Sequence, residues 1–142
     1  MKNNKGFSLV ELIIVIAIMA VLIGVLAPQY LGYVKKSKVS TDLQNAQQMA
    51  SKIAVKITDE EVTGTKNTDL PDPDTNKDAD SAKEIDPSLI DQDTLPTIQV
   101  DSTYKWKMYI KNNTVHIIVV DSADVIKGEL YPTVTPDSDW DK

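Results

Sequence analysis

The segment from Phe7 to Ala27 constrains the fold of this chain most, because its 21 residues are apolar apart from Ser8 and Glu11. As an α-helix it would be ~31 Å long, about the thickness of the hydrocarbon core of a bilayer. It contains one glycine and no proline, so a helix would satisfy its own backbone hydrogen bonds, as lipid requires. The sequence therefore predicts a membrane-spanning helix over residues 7–27.

Glu11 is the single charged residue of this span. A carboxylate at membrane depth costs roughly 2.5 kcal/mol or more, so the favoured hypothesis gives it a functional partner. The alternative interpretation places Glu11 in the headgroup layer, near the positive end of the helix dipole. Lysines stand on both sides of the span, so counting charges does not decide its orientation.

The segment Gly6-Phe7-Ser8-Leu9-Val10-Glu11-Leu12, with lysines before it and the apolar run after it, resembles the N-terminus of a type IV pilin precursor. The resemblance implies a leader peptide, residues 1–6, that a prepilin peptidase removes by cleavage between Gly6 and Phe7. It also implies N-methylation of Phe7. The precursor would be a single-pass protein of the cytoplasmic (inner) membrane with its head outside.

The same resemblance implies a structural role and no enzymatic activity. An assembly platform and motor would extract the subunits into a homo-oligomeric helical filament on the cell surface, where Glu11 neutralises the Phe7 amine of a neighbouring subunit. The physical argument agrees, because breaking a buried ion pair of this kind costs ~3–5 kcal/mol.

Beyond the span, the chain predicts a second, amphipathic half of the same helix over residues 28–60. Pro28 lacks an amide hydrogen and clashes with the carbonyl of Gly24, so we expect a kink or local melting there. Apolar residues then recur at helical spacing and predict one face that packs on a sheet. These residues are Val39, Leu43, Ala46, Ala50, Ile53 and Ile57.

Residues 63–96 are rich in Asp, Thr, Asn and Pro, which predicts a long, variable surface loop with little core. Within it, Asp86 precedes a proline, a pair typical of the start of a helical turn. We expect one turn over residues 88–92, anchored by Leu89 and Ile90.

Acidic and amide side chains alternate in this loop with a spacing that resembles a calcium-binding loop: Asp72, Asp74, Asn76 and Asp78. The match is incomplete, since Lys77 and Lys83 stand where an EF-hand has glycine and glutamate. A solvated acidic loop without cofactor is the preferred interpretation, and calcium is the alternative.

The last third predicts a small antiparallel sheet over about residues 98–131. Residues 104–111 alternate between apolar and polar, residues 115–120 form a nearly continuous apolar strand, and Asn112-Asn113 supplies a tight turn between them. His116 is interpreted as a cross-strand surface residue rather than a metal ligand. Weaker strand candidates are residues 98–100 and 125–131.

Charge and composition limit the function of the head, residues 61–142. Residues 59–142 carry eight lysines against nineteen acids, a net charge of −11, which disfavours direct binding of nucleic acid. The sequence contains no catalytic constellation. It also contains no cysteine, so the disulfide of many pilins is absent. Strand pairing is therefore expected to hold the C-terminal region, in preference to a metal bound by aspartates.

Together these patterns predict an α+β, pilin-like fold with a long N-terminal helix over about residues 7–60, packed through its C-terminal half on three or four antiparallel strands. A type IV pilin is the favoured function. The alternatives are a major pseudopilin of a type II secretion or DNA-uptake system and a membrane-anchored acidic, calcium-binding module. Adhesion, motility and DNA uptake remain open, since one pilus scaffold serves all three.

Overall fold

A computed structural model of the chain describes residues 6–63, 70–71 and 78–136. The chain divides into two compact units, residues 1–36 and residues 37–142. We describe each unit by itself. The predicted calcium-loop residues Asp72, Asp74 and Asn76 lie outside the described residues.

Helix α1, Leu9–Thr63, is the longest element and contributes to both units. In the first unit its large apolar side chains are exposed, as with Leu9 at 73% and Val21 at 67%. The helix is long and apolar enough to cross a membrane. It continues through Gly24 and Pro28, so the expectation of local melting is wrong for this chain, because the proline removes one hydrogen bond while its neighbours hold theirs. A bend at this point stays a prediction.

In the second unit, α1 buries the predicted apolar face. Ala46, Ala50 and Ile53 are at most 1% exposed, and Val39, Leu43 and Ile57 pack around them. This confirms the apolar stripe. Met49 joins the same face, and the opposing surface is supplied by the sheet. The sheet residues of this core include Trp106, Met108, Ile117 and Val119.

The sheet has five antiparallel strands in sequential order. They are β1 Lys83–Glu84, β2 Lys105–Lys111, β3 Thr114–Val120, β4 Ile126–Tyr131 and β5 Thr135–Pro136. Asn112 and Asn113 adopt φ of 51° and 60° between β2 and β3, which confirms the predicted tight turn. The three long strands confirm the predicted antiparallel sheet, and two short strands extend its edges.

The strand predicted at residues 98–100 is wrong, because this segment forms no ladder with another strand. Its backbone N–H groups bond instead to a carboxylate of α1, described below. The first long strand of the sheet, β2, therefore begins only at Lys105. The short strand β1 lies in the region that was predicted to be a loop.

The segment before β2 contributes more core than its composition indicates. Ile85, Leu89 and Ile90 are at most 3% exposed. A 3₁₀ turn, Pro87–Ile90, follows the N-cap Asp86 and confirms the expected turn. The prediction of little core is therefore wrong here, since a few large aliphatic residues suffice to fasten the segment to the helix and sheet. Two contacts with α1 help, the hydrogen bond of 2.6 Å from Lys52 Nζ to the Ile90 carbonyl and the ion pair of 2.8 Å between Lys56 and Asp91.

The sheet also has a second, smaller core on its other face. Tyr109 is 6% exposed there and packs with Ile118 and Val120. Ala79 and Ala82, in the segment before β1, cover this cluster. The face of β2 that carries Tyr109 is therefore buried at this residue, as the opposite face is. Lys107 and Lys111, two residues to each side on the same face, had predicted a face exposed to solvent.

Candidate assembly site

Residues 6–8, which precede α1, are open to solvent. Gly6, Phe7 and Ser8 precede the helix, and Phe7 is 89% exposed. A Cβ added at Gly6 would meet nothing within 4 Å, so the fold of this chain does not itself require glycine at that position.

Glu11 caps the start of the helix. Its Oε2 accepts a hydrogen bond of 2.9 Å from the backbone N–H of Ser8, three residues earlier. This is the glutamate half of a capping box, in which an acid in the first turn satisfies an N–H that the helix leaves unpaired. The Ser-x-x-Glu spacing in front of an apolar run is the sequence signal for this contact, and the sequence analysis missed it.

The geometry places the Glu11 carboxylate next to the predicted cleavage point. The carboxylate accepts its hydrogen bond from the N–H of Ser8, and Phe7 is the residue immediately before Ser8. Hydrolysis of the Gly6–Phe7 bond would convert the Phe7 nitrogen into an ammonium group, one residue from Ser8. The carboxylate is thus held one residue from the nitrogen that such a cleavage would free.

Among the described residues of the head, Asp42 is the one buried charged residue, being 0% exposed on the sheet-facing side of α1. Its Oδ1 accepts from Gln99 N at 2.7 Å, and its Oδ2 accepts from Gln99 N at 3.0 Å and Val100 N at 2.9 Å. The carboxylate therefore fastens the segment before β2 to the helix. Asp42 stands three residues after Val39 and four before Ala46, and so lies inside the apolar stripe. An acid at that spacing is the sequence signal for a buried carboxylate.

A polar trio occupies the second face of the sheet. His116 Nδ1 contacts Glu129 Oε1, Tyr109 Oη donates to the same oxygen at 3.3 Å, and the Tyr109 and His116 rings stack with centroids 4.4 Å apart. Burial, followed by the negative charge of Glu129 and its hydrogen bond, raises the pKa of Tyr109 to about 12. His116 thus confirms the predicted cross-strand role, although its side chain is only 16% exposed to solvent.

The predicted calcium residue that the structure describes, Asp78, serves as an N-cap. Its carboxylate accepts from Ser81 N at 3.0 Å, at the start of the 3₁₀ turn Ala79–Ser81. Within residues 6–63, 70–71 and 78–136, no group of three or more histidines or acids is placed to hold a metal ion.

Strand pairing holds the C-terminal end of the described chain. Thr135 and Pro136 of β5 pair with Glu129 and Gly128 of β4. The nearby Asp121 accepts from Ala123 N and Val125 N and pairs with Lys127. The Val125 N–H, aided by the Lys127 ammonium, lowers the pKa of the Asp121 carboxyl. The expected strand pairing is therefore present up to residue 136, the last residue that the structure describes.

Comparison with known families defines the class to which the N-terminal site belongs. Residues 1–27 match the family model described as the prokaryotic N-terminal methylation motif. The resemblance to type IV prepilins is therefore confirmed for this part of the chain, which contains Gly6, Phe7 and Glu11.

Particular relatives extend the similarity beyond the motif. The chain is 39% identical over 56 residues to a type IV major fimbrial protein FimA of Dichelobacter nodosus, and 40% identical over 56 residues to a second FimA from that organism. Each match covers 39% of this chain and 36% of the relative, so the similarity spans about a third of the fimbrial proteins. No solved structure matches the chain.

Proposed function

We propose that this protein is the structural subunit of a type IV pilus. The observation that carries the proposal is the exposed apolar helix segment of residues 9–27, which begins with a lone, helix-capping glutamate and lies within the N-terminal methylation motif. Such a surface is stable only in lipid or against other apolar helices. A filament core of bundled helices supplies the second environment.

In this proposal the chain enters the cytoplasmic membrane as a precursor. A prepilin peptidase cleaves between Gly6 and Phe7, an N-methyltransferase modifies Phe7, and an assembly platform and motor move the subunit into the filament. Glu11 then exchanges the Ser8 N–H for the Phe7 amine of a neighbouring subunit. The exchange favours correct stagger, since a carboxylate and an ammonium buried apart in apolar surroundings are each unstable.

The major alternative is a pseudopilin of a type II secretion or DNA-uptake system, which shares the N-terminal motif. The named relatives are major fimbrial proteins, and this supports the pilus subunit. A membrane-anchored binding module is the weaker alternative, because an anchor gains nothing from a carboxylate in its apolar span.

The test combines intact mass and N-terminal sequence of the protein in native membranes and sheared surface fibres with two variants. Glu11→Ala should abolish fibres while membrane levels persist. Glu84→Gln removes the same charge from an exposed surface ion pair with Lys105 and should leave fibres intact.

A chain beginning at N-methyl-Phe7 in long fibres supports the proposal. An unprocessed chain confined to the membrane and indifferent to Glu11→Ala contradicts it. Processing without long surface fibres would favour the pseudopilin.

A further inference from the structure

A band of aromatic and basic residues follows the apolar span on α1. Tyr30 and Tyr33 are 67% and 70% exposed, and Leu31 between them is 67% exposed. Lys35 and Lys36 come next, and neither forms an ion pair with a carboxylate among the described residues. We call Tyr30, Tyr33, Lys35 and Lys36 the interfacial band.

The order of residue types in the band matches the order of layers at a membrane surface. Tyrosine rings favour the boundary between hydrocarbon and headgroups, where the ring is apolar and the hydroxyl is hydrated. Lysines favour the next layer, where the side chain extends along apolar surface and the ammonium reaches lipid phosphate. Tyr30 and Tyr33 are three residues apart, so they lie on neighbouring positions of one helix side.

We propose that the interfacial band binds the outer phospholipid surface, with its lysines on anionic headgroups, and so fixes the depth of the span in the unassembled subunit. This inference rests on the proposed function, since it concerns the subunit while the membrane holds it. The occupant is a lipid surface because the band continues directly from the exposed apolar span and carries the charge opposite to anionic lipid.

The band determines where Glu11 lies in the membrane. Glu11 is 19 residues before Tyr30 in the same helix. At ~1.5 Å per residue this separation is ~29 Å, which nearly equals the ~30 Å thickness of the hydrocarbon core. With Tyr30 at the outer boundary, Glu11 therefore lies at the inner boundary, where its carboxylate keeps the Ser8 N–H and reaches water.

Without the band the span would have no fixed outer end. Leu31 and Val34 continue the apolar surface beyond Pro28, so the helix would be able to move inward until these residues entered the hydrocarbon core. The band prevents this movement, because a lysine ammonium is strongly unfavourable there. The membrane-held subunit thus keeps Glu11 at the inner boundary until extraction.

The depth of the span is measurable by nitroxide labels on the full-length, uncleaved chain. The chain contains no cysteine, so a single cysteine at each of residues 17–24 gives one label per protein. The chains are placed in vesicles of phosphatidylcholine with phosphatidylglycerol. Relative accessibility to oxygen and to a water-soluble nickel complex then gives the depth of each label.

In the unaltered band, the deepest label should be at Ala20 or Val21, midway between Glu11 and Tyr30. Combining Tyr30→Leu and Tyr33→Leu with Lys35→Gln and Lys36→Gln should move the profile by about one helical turn, ~5 Å, toward the C-terminus. A matched control, Lys83→Gln with Lys111→Gln, changes two exposed head lysines that form no ion pair within the described residues, and should leave the profile unchanged.

The contribution of anionic lipid is tested with the lysines alone. Lys35→Gln with Lys36→Gln should shift the profile in vesicles that contain phosphatidylglycerol and have no effect in phosphatidylcholine alone. A shift of equal size in both lipids, or no shift in either, would overturn the assignment of anionic headgroups.

The outcomes separate this inference from the proposed function. If the labels lie in lipid but the deepest one is not at Ala20 or Val21, the inference is overturned and the pilin proposal stands. The same holds if the four combined substitutions leave the depth profile unchanged. Labels that all remain in water overturn the membrane-held subunit itself. If the two lysine changes abolish fibres without altering depth, the band binds a second copy of the chain and the lipid proposal is wrong.

Discussion

Replacing Asp42 should destabilise the head more than any other exchange of one polar group in the described chain. The Asp42 carboxylate is fully buried and accepts three hydrogen bonds from two backbone N–H groups. Hydrogen bonds to a charged group contribute ~1.5–3 kcal/mol each, and an N–H left without a partner loses ~1–3 kcal/mol. The N–H groups of Gln99 and Val100 are only partly buried, so water recovers part of that loss.

We therefore expect Asp42→Ala to lower the free energy of unfolding by ~2–4 kcal/mol, out of a total that is usually ~5–15 kcal/mol for a domain. Asp42→Asn keeps the shape and one acceptor oxygen, but it turns an NH₂ group toward N–H donors. Its expected effect is ~1–2 kcal/mol.

Urea unfolding of the full chain in detergent micelles, followed by tryptophan fluorescence, measures these values. Trp106 is a suitable reporter because it is 3% exposed and its Nε1 donates to the Pro96 carbonyl at 2.7 Å, within the segment that Asp42 fastens. Asp93→Asn is the matched control, since Asp93 is exposed and forms no hydrogen bond within the described residues. An Asp42→Asn protein that unfolds within ~0.5 kcal/mol of the parent would refute this account.

Four further outcomes follow from the head. The pKa of Tyr109 is about 12 in the folded protein, above its value of ~10 in unfolded chains, so its contribution to stability is complete below pH ~10 and is lost as the pH rises toward ~12; ultraviolet titration of the parent and Tyr109→Phe should assign the latest tyrosine to this residue. Glu129→Gln should lower that pKa while leaving it above normal, because burial is the larger cause. Ile53→Ala should reduce the free energy of unfolding by ~2–5 kcal/mol, whereas Val55→Ala, at a side chain 60% exposed, should change it by less than ~0.5 kcal/mol in the same urea experiment. Asn113→Gly should be tolerated and Asn113→Val should lower the melting temperature, since this residue has φ of 60°.

The elements that the sequence predicts correctly are those set by local periodicity. The apolar stripe from Val39 to Ile57 defines one helix face, and the alternating strand, the Asn112-Asn113 turn and the following apolar strand define a hairpin. Each pattern depends on neighbours within a few residues, so the sequence alone is sufficient. The methylation motif is recognisable for the same reason, being a short contiguous segment.

The features that sequence reasoning missed depend on contacts between distant segments. Asp42 meets Gln99 across 57 positions, and no local pattern identifies that partner. Tyr109 is buried because residues 79–82 cover the second face of the sheet. The capping contact of Glu11 is the exception, because its Ser-x-x-Glu spacing is a local pattern that is present in the sequence.

The pairing of β5 with β4 closes the described end of the head through backbone hydrogen bonds, in a chain that has no thiol. Folding of the head therefore includes no disulfide step, and it requires neither an oxidant nor a disulfide isomerase. Disulfide formation and reshuffling take seconds to hours, and this chain avoids that delay. A reductant likewise has no covalent link to break, so the pairing of β5 with β4 should persist equally in reducing and oxidising solution.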